Sequence, residues 1–300
     1  MKTINLIKLL SIVLFFSFLA SCQKSVPEIE NPSPPVIVPS GTDTGLYYNA
    51  KTICDHTYNE AALTASGWTK SFEDNFGSNL SNWTLLRGGN ASKELQYFKE
   101  SNVRVESGFA QILTKKESVT TTVSGSARTF DYTSGLMKSN ATFSANEATP
   151  RIRIAARLRL PQGYGLQPTF TATGDDYPKN GHIGIMTSYS NQPNFYTTDY
   201  AYGTANTNLV RNANGYITAD ADLTACYHVY ETEWTKNGLN FYLDGKLVEQ
   251  KTSGGYIPAL FGKKLQLHLY VVIISDLLTR PQIKTGTLSV DWVKVFTSKS

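Results

Sequence analysis

The stretch RIRIAARLRL, residues 151–160, alternates apolar and basic side chains and decides the fold class. Successive side chains of a β-strand point to opposite faces, so its aliphatic residues share one face and its arginines share the other. The segment is therefore predicted to be a half-buried strand, with the aliphatic face turned to a core.

Neighbouring segments extend this prediction to the whole body of the chain. Residues 239–249, LNFYLDGKLVE, predict a hairpin in which Asp244-Gly245 forms the two-residue turn. Residues 265–274 and 288–296 are rich in β-branched side chains and predict long strands inside a sandwich. Strands separated by Gly- and Asn-rich turns favour an all-β fold, an antiparallel two-sheet β-sandwich of the jelly-roll type.

Two segments differ from this pattern. Asn59–Leu63 predicts a short helix that stops at Gly67. Ser118–Ser126 is rich in Ser and Thr and predicts a loop.

The charge balance excludes one class of partner. The 300 residues contain 28 Lys+Arg and 24 Asp+Glu, a formal net charge of +4. The longest basic runs are the pairs Lys115-Lys116 and Lys263-Lys264, whereas binding to nucleic acid requires clustered cations that neutralise phosphates. No nucleic-acid partner is expected.

The N-terminal residues predict export and a lipid anchor. A short basic start precedes an apolar run at 9–20, which is too short for a membrane-spanning helix of about 20 residues and fits the core of a secretory signal. The run ends in Leu19-Ala20-Ser21-Cys22, which resembles a bacterial lipoprotein box with Cys22 as the lipidated residue. The alternative is an ordinary signal peptide with a chance cysteine.

This interpretation divides the chain into four parts and gives it a location. They are a lipoprotein signal peptide at 1–21, a Pro-rich tether at 22–45, a short N-terminal extension at 46–66 and the domain at 67–300. The predicted location is the bacterial cell envelope, with the membrane contacted only through the Cys22 lipid. Cys54 and Cys226 either pair in this oxidising compartment or remain buried thiols.

Several motifs match a known family in collinear order. They are FEDNF at 72–76, NVRVESG at 102–108, YTSG at 132–135, YHVY at 227–230 and VDWVKV at 290–295. From about Trp68 to Phe296 the chain resembles glycoside hydrolase family 16, the β-glucanase and laminarinase group. The resemblance implies a concanavalin-A-like jelly roll and a polysaccharide or oligosaccharide partner of the β-glucan type.

The catalytic strand of that family has the sequence Glu-x-Asp-x-x-Glu, whose two glutamates are the nucleophile and the acid/base. The first two acidic positions share a strand face, and a bulge returns the third to that face. The matching positions here are His182, Gly184 and Thr187, which carry no carboxylate. These residue types cannot readily form the glycosyl ester or protonate a leaving oxygen, so the scaffold is expected to have lost hydrolysis.

Other positions of the family's cleft have changed as well. Leu136 replaces an arginine that follows YTSG, Gln167 and Thr171 replace two stacking tryptophans, Tyr177 replaces a third, and Asp199 replaces a histidine. The family's Asn-Leu-x-x-Gly-Gly turn near the C-terminus corresponds here to VVIISD at 271–276. All four tryptophans occupy scaffold positions, namely Trp68, Trp83, Trp234 and Trp292. The losses are therefore concentrated in the cleft.

Three functional hypotheses follow. The first is a non-catalytic, carbohydrate-binding lipoprotein with the candidate substrate-binding residues Tyr164, Gln167, Tyr177, Tyr189 and Asp199. Further aromatic and amide candidates, each of which also fits ordinary packing, are Phe195, Tyr196, Tyr200, Tyr202, Asn180, Asn191, Gln192 and Asn194.

The second hypothesis is a residual O-glycosyl hydrolase of the endo-β-glucanase type with relocated carboxylates. Its candidates are Asp175, Asp176 and Asp199, although the first two also fit a simple turn cap. The third hypothesis is a structural or partner-binding scaffold, which the missing cleft tryptophans favour.

No cofactor is required for any of these functions. The family resemblance suggests one ion, a structural calcium held by Asp291 and by backbone near Gly108, and a surface Asp in a strand is the alternative. His182 is not spaced as a metal ligand with the other histidines, which favours a space-filling role. The oligomeric state is left open.

Overall fold

The computed structural model describes residues 46–89, 94–205, 208–211, 215–252, 257–275 and 283–299. The predicted signal peptide, the predicted lipidation site Cys22 and the predicted tether lie outside the described residues. No helix among the described residues is long and apolar enough to cross a membrane.

Two large sheets pack face to face, as the sequence predicted. The first sheet has the strand order β1-β16-β14-β13-β12-β20-β10-β3, with β15 paired to β14. Its strands are β1 (Leu46–Ala50), β3 (Trp83–Leu85), β10 (Leu136–Ser139), β12 (Leu166–Thr173), β13 (His182–Tyr189), β14 (Gln192–Ala205), β15 (Asn208–Arg211), β16 (Gly215–Ala219) and β20 (Gln266–Ile273). Most neighbours are antiparallel, but β1 joins β16 in parallel, so part of the predicted N-terminal extension is an edge strand of the sandwich.

The second sheet has the order β19-β18-β17-β11-β21-β7-β6, with β2 paired to β21. Its strands are β2 (Thr69–Asp74), β6 (Val103–Glu106), β7 (Phe109–Leu113), β11 (Arg151–Arg159), β17 (His228–Thr235), β18 (Gly238–Leu243), β19 (Lys246–Thr252) and β21 (Thr287–Ser298). The central strand β11 contains the alternating stretch. Ile152, Ile154 and Leu158 are buried in the core between the sheets, which confirms the predicted aliphatic face.

A third, smaller sheet has the order β4-β5-β9-β8. Its strands are β4 (Gly88–Gly89), β5 (Gln96–Phe98), β8 (Lys115–Val123) and β9 (Ser126–Ser134). The prediction of a loop at Ser118–Ser126 is therefore wrong. The run Val119–Val123, three consecutive threonines between two valines, is β-branched throughout and favours extended backbone. Only Ser124-Gly125 form the turn, both with positive φ.

The remaining local predictions are confirmed. The helix α1 (Glu60–Ala65) is capped by the Asn59 side chain, which accepts a hydrogen bond from the backbone of Ala62, and Gly67 follows with φ +81°. Asp244 and Gly245 form the β18–β19 turn with φ of +51° and +74°. The other helical turns are the 3₁₀ segment Glu100–Asn102 and the helix α2 (Ile257–Leu260).

Cys54 and Cys226, for which the sequence left two alternatives, form a disulfide with a Cα–Cα distance of 5.6 Å. The bond joins the segment between β1 and α1 to the residues just before β17. The N-terminal segment is thereby held covalently against the sandwich.

Candidate functional site

The outer face of the first sheet, turned away from the core, carries the candidate site. On β13, Ile183, Ile185 and Met186 are buried, while His182 and Thr187 are only partly buried on the other side. The pairing register of β13 with β14 shifts between Gly184 and Thr187. This irregularity is the bulge expected from the motif spacing, and it returns Thr187 to the face of His182.

Asp199 of the neighbouring strand fills the space above Gly184. The two residues are register partners, and a Cβ atom added to Gly184 would lie 1.8 Å from Oδ1 of Asp199. The carboxylate therefore stands where a side chain at position 184 would begin. The carboxylate in the middle of the site is thus supplied by β14 and not by β13.

His182 lies between this carboxylate and a hydroxyl. Its Nε2 is 3.5 Å from Oδ1 of Asp199, and its Nδ1 is 2.8 Å from Oγ1 of Thr173. The ring of Tyr177 meets the imidazole edge-on, with the ring centroids 5.9 Å apart. The imidazole is thus fixed by polar partners on both nitrogens.

Two rows of side chains cross the outer face from strand to strand. The first row consists of Asp199, Gly184, Thr171, His268 and Lys138. The second row consists of Thr197, Thr187, Thr169, Tyr270 and Leu136. Thr169 and Thr171 are buried beneath their neighbours, so longer side chains form the accessible floor.

Burial shifts the pKa values of two floor residues. It lowers the pKa of His268 to about 4, and electrostatic interactions with Lys138 and His182 contribute further to the lowering. It raises the pKa of Tyr270 to about 12, although a hydrogen bond with Thr169 opposes the shift. At neutral pH, the floor therefore presents an uncharged imidazole and an uncharged phenol.

The family model described as glycosyl hydrolases family 16 matches residues 93–294. The chain belongs to this family. One similar solved structure is an endo-β-1,3-glucanase from Pyrococcus furiosus, with a TM-score of 0.65 and 23% identity over 77% of this chain and 95% of that one. Another is a structure reported under endo-acting O-glycanases of the human gut microbiota that initiate mucin breakdown. Its TM-score is 0.62, with 18% identity over 78% of this chain and 92% of that one. At these identities, the likeness shows the shared fold.

One curated relative is the clotting factor G alpha subunit of Tachypleus tridentatus, which is 25% identical over 197 residues. The match covers 63% of this family 16 chain and 26% of that protein. The chain thus spans about a quarter of the length of this relative.

The predicted sugar-binding residues of this family 16 chain divide into two groups. Tyr177 and Asp199 lie beside His182, and Tyr177 is 49% exposed. Tyr189 hydrogen-bonds to Gln167, and burial raises its pKa. Tyr164 forms a backbone bridge with Lys284 just before β12. Tyr177 and Asp199 are therefore the predicted residues that contact His182, whereas Tyr189 lies at the other end of the same strand.

Two of the wider candidates are wrong as stacking platforms. Tyr196 and Tyr200 are buried in the core, because they alternate with the outer-face residues Thr197 and Asp199 along β14. Asn191 is also buried, and it accepts a hydrogen bond from the backbone of Gly165, which is a structural role.

Asp175 and Asp176 lie in the turn between β12 and β13. Both are exposed, and the backbone carbonyl of Asp176 accepts a hydrogen bond from the backbone of Asn180. Lys179 forms an ion pair with Asp176 at 3.6 Å. The turn-cap alternative accounts for these contacts, and neither carboxylate adjoins His182 as Asp199 does.

The donors at the predicted calcium position do not favour the ion. Oδ2 of Asp291 accepts a hydrogen bond from the Arg157 guanidinium, which already supplies a positive charge there. The described residues contain no group of three His, Cys, Asp or Glu side chains that could hold a metal. The calcium stays a prediction.

Gly184→Ala tests the placement of Asp199. The new methyl group would force the Asp199 carboxylate away from His182, and we expect a loss of about 1–2 kcal/mol in the free energy of unfolding. In an Asp199→Ala background, the same change should cost little. Denaturant unfolding of the two single variants and the double variant gives the coupling energy, and purely additive costs would contradict this placement.

Proposed function

We propose that this chain is a non-catalytic carbohydrate-binding protein on a family 16 scaffold, directed at β-glucan-type polysaccharides. One observation carries the proposal. The outer face keeps a polar and aromatic floor, yet β13 offers His182, Gly184 and Thr187 where the resemblance places the catalytic acids.

The chemistry argues against turnover. Retaining hydrolysis needs one carboxylate to attack the sugar and a second group to protonate the leaving oxygen. In the part of the chain that the structure describes, Asp199 is the one carboxylate paired with His182. Catalytic groups of this kind act as a unit, and their loss lowers the rate by about 10⁶-fold.

Carbohydrate binding requires fewer functional groups than hydrolysis does. The exposed ring of Tyr177 supplies a face for sugar C–H groups, and His182 beside it supplies polar atoms. Thr187 adds a hydroxyl further along β13, on the same face. Such sites hold neutral sugars by stacking and by hydrogen bonds to hydroxyl groups, without a catalytic acid.

The test is affinity electrophoresis in gels that contain laminarin, mixed-linkage β-glucan or mucin. The last probe follows from the structural relative linked to mucin breakdown. We expect at least one polysaccharide to retard the protein, with no new reducing ends after long incubation. Migration unchanged by all three would reject the proposal and favour a structural or partner-binding scaffold.

A residual hydrolase is the second candidate, favoured by the Asp199 carboxylate above Gly184. Turnover that persists through stringent purification and disappears in Asp199→Ala would establish this function in place of the first. Asp176→Ala is the matched control, because that carboxylate lies exposed in the neighbouring turn.

The location belongs to the same proposal. A lipid on Cys22 and the Pro-rich segment 22–45 would hold the domain at a distance from the membrane of the cell envelope. A binding protein placed there would keep polysaccharide near the cell.

A further inference from the structure

A pocket lies at one end of the outer face, beside the third sheet. Its volume is about 550 Å³, and its floor is formed by Leu136, Tyr270 and Val272. The tip of the β8–β9 hairpin, at Val123 and Ser124, forms one wall. We propose that this hairpin pocket binds the end of a neutral glycan chain, an inference that rests on the proposed glycan-binding function.

Strand β5 and the base of the β8–β9 hairpin are attached to the first sheet. The amide of Gln96 on β5 accepts a hydrogen bond from the backbone of Ile273 at 2.8 Å, and the Ser134 hydroxyl on β9 donates to the carbonyl of Val271 at 2.6 Å. Both side chains are fully buried. The base of the hairpin is held further by Glu117, which pairs with Lys99 and accepts from Thr133.

The floor leads from the former catalytic strand to this wall. The second row crosses the sheet from Thr187 through Thr169 and Tyr270 to Leu136, on four adjacent strands. Adjacent strands lie about 4.8 Å apart, so the row is about 14 Å long. That length suits a short run of linked pyranose rings, so a chain that follows the row reaches the wall and must end there.

The lining chemistry suits an uncharged sugar. The rings of Phe98 and Tyr270 meet edge to face with centroids 6.3 Å apart and offer apolar surface to sugar C–H groups. Glu94 is the only charged side chain among the described lining residues, and its Oε2 accepts a hydrogen bond from Gln96 at 3.0 Å. A carboxylate accepts sugar hydroxyls and repels acidic sugars.

The position of Leu136 extends this apolar surface. The resemblance places an arginine there, whereas this chain has an aliphatic side chain on the pocket floor. The change removes a cation from the site. Glu94 is then the charged side chain that lines the pocket, and the Arg128 guanidinium donates a hydrogen bond to its backbone carbonyl at 2.5 Å.

A pair of substitutions on β8 tests the pocket. Val123 faces the pocket and is partly buried, whereas the preceding Thr122 is exposed on the opposite face. Val123→Trp should fill the pocket and weaken binding by at least about tenfold, and Thr122→Trp should leave binding unchanged. Glu94→Gln, which preserves side-chain volume, should weaken binding without an effect on folding.

Recognition of a chain end is tested by a separate competition experiment. The probe is whichever of laminarin, mixed-linkage glucan or mucin glycans retards the protein, used as a competitor intact and after partial acid hydrolysis. Inhibition should scale with the molar concentration of chain ends, so hydrolysis should raise potency per gram. Inhibition that tracks total sugar would overturn the inference.

The remaining outcomes are also decisive. If the wild type binds and the Val123→Trp and Glu94→Gln variants bind equally well, the pocket is not the site, while the proposed function stands. Equal losses in Val123→Trp and Thr122→Trp would likewise overturn the pocket. If none of the probes is bound by the wild type, the proposed function fails and the inference fails with it.

Discussion

Acidification from pH 7 to pH 4 should destabilise the folded chain by about 3 kcal/mol through His268, whose pKa falls from 6.5 to about 4 on folding. The imidazole lies on the outer face of β20, and its Nδ1 is buried without a hydrogen-bond partner. Lys138 is its register partner on β10, and His182 adds a second unfavourable interaction. A proton on His268 would therefore be poorly solvated and repelled.

The direction follows from proton linkage. Between pH 6.5 and pH 4, the unfolded chain binds a proton at position 268, while the folded chain does not. The unfolded state thus gains free energy as the pH falls, and the contribution of His268 to stability is lost across that interval. Above pH 6.5 both states are neutral at this site, and the contribution is constant.

Two variants isolate this contribution. His268→Gln cannot titrate in this range, so its unfolding free energy should vary less between pH 7 and pH 4 than that of the wild type. Lys138→Gln removes one cause of the lowered His268 pKa. It should therefore reduce, without abolishing, the change in unfolding free energy between pH 7 and pH 4. Urea unfolding at closely spaced pH values measures both, and parallel curves for His268→Gln and wild type would contradict the shifted pKa.

The residues of this floor illustrate the limit of prediction from the sequence. The sequence predicted a long strand at 265–274, but nothing local indicated that β10 and β12 are its neighbours. The row that joins Lys138 to His268 depends on pairing across more than a hundred residues of chain. Local pattern predicts which side chains share a face, and strand order decides which of them meet.

The candidate site likewise combines features that the local sequence predicted with features that only strand pairing could decide. The motif spacing predicted that His182 and Thr187 share a face across a bulge, and the structure has that bulge. The sequence could not show that Asp199 enters the space of the absent side chain at Gly184, because two strands contribute to one small volume. Ser118–Ser126 was predicted incorrectly for another reason, since its Ser- and Thr-rich composition was given more weight than its continuous β-branched run at 119–123.

Asp244 shows how a residue recognised for its backbone can matter more for its side chain. The sequence identified it as a turn residue, and its positive φ agrees. The structure also buries the carboxylate, which accepts hydrogen bonds from the backbone N–H groups of Ile53 and Val229 and from Nδ1 of His228, at 2.8 to 2.9 Å. One side chain thereby connects the N-terminal segment, β17 and the turn.

Asp244→Ala should therefore lower the free energy of unfolding by about 3–5 kcal/mol, because two backbone donors and a buried imidazole lose their acceptor together. Asp244→Asn keeps one carbonyl acceptor and the turn geometry, so its cost should be smaller. Asp222→Ala is the matched control. Among the described residues, that exposed carboxylate accepts hydrogen bonds from Thr224 alone, at 2.6 and 2.8 Å, and its loss should cost less than about 1 kcal/mol.

Urea unfolding at pH 7 with the disulfide intact measures these costs. The intact bond between Cys54 and Cys226 keeps the N-terminal segment attached, so the comparison reports the hydrogen bonds and not the covalent link. Equal losses for Asp244→Ala and Asp222→Ala would mean that the buried acceptor adds nothing beyond an ordinary turn. A large loss confined to Asp244→Ala would establish that this turn holds the N-terminal segment to the second sheet.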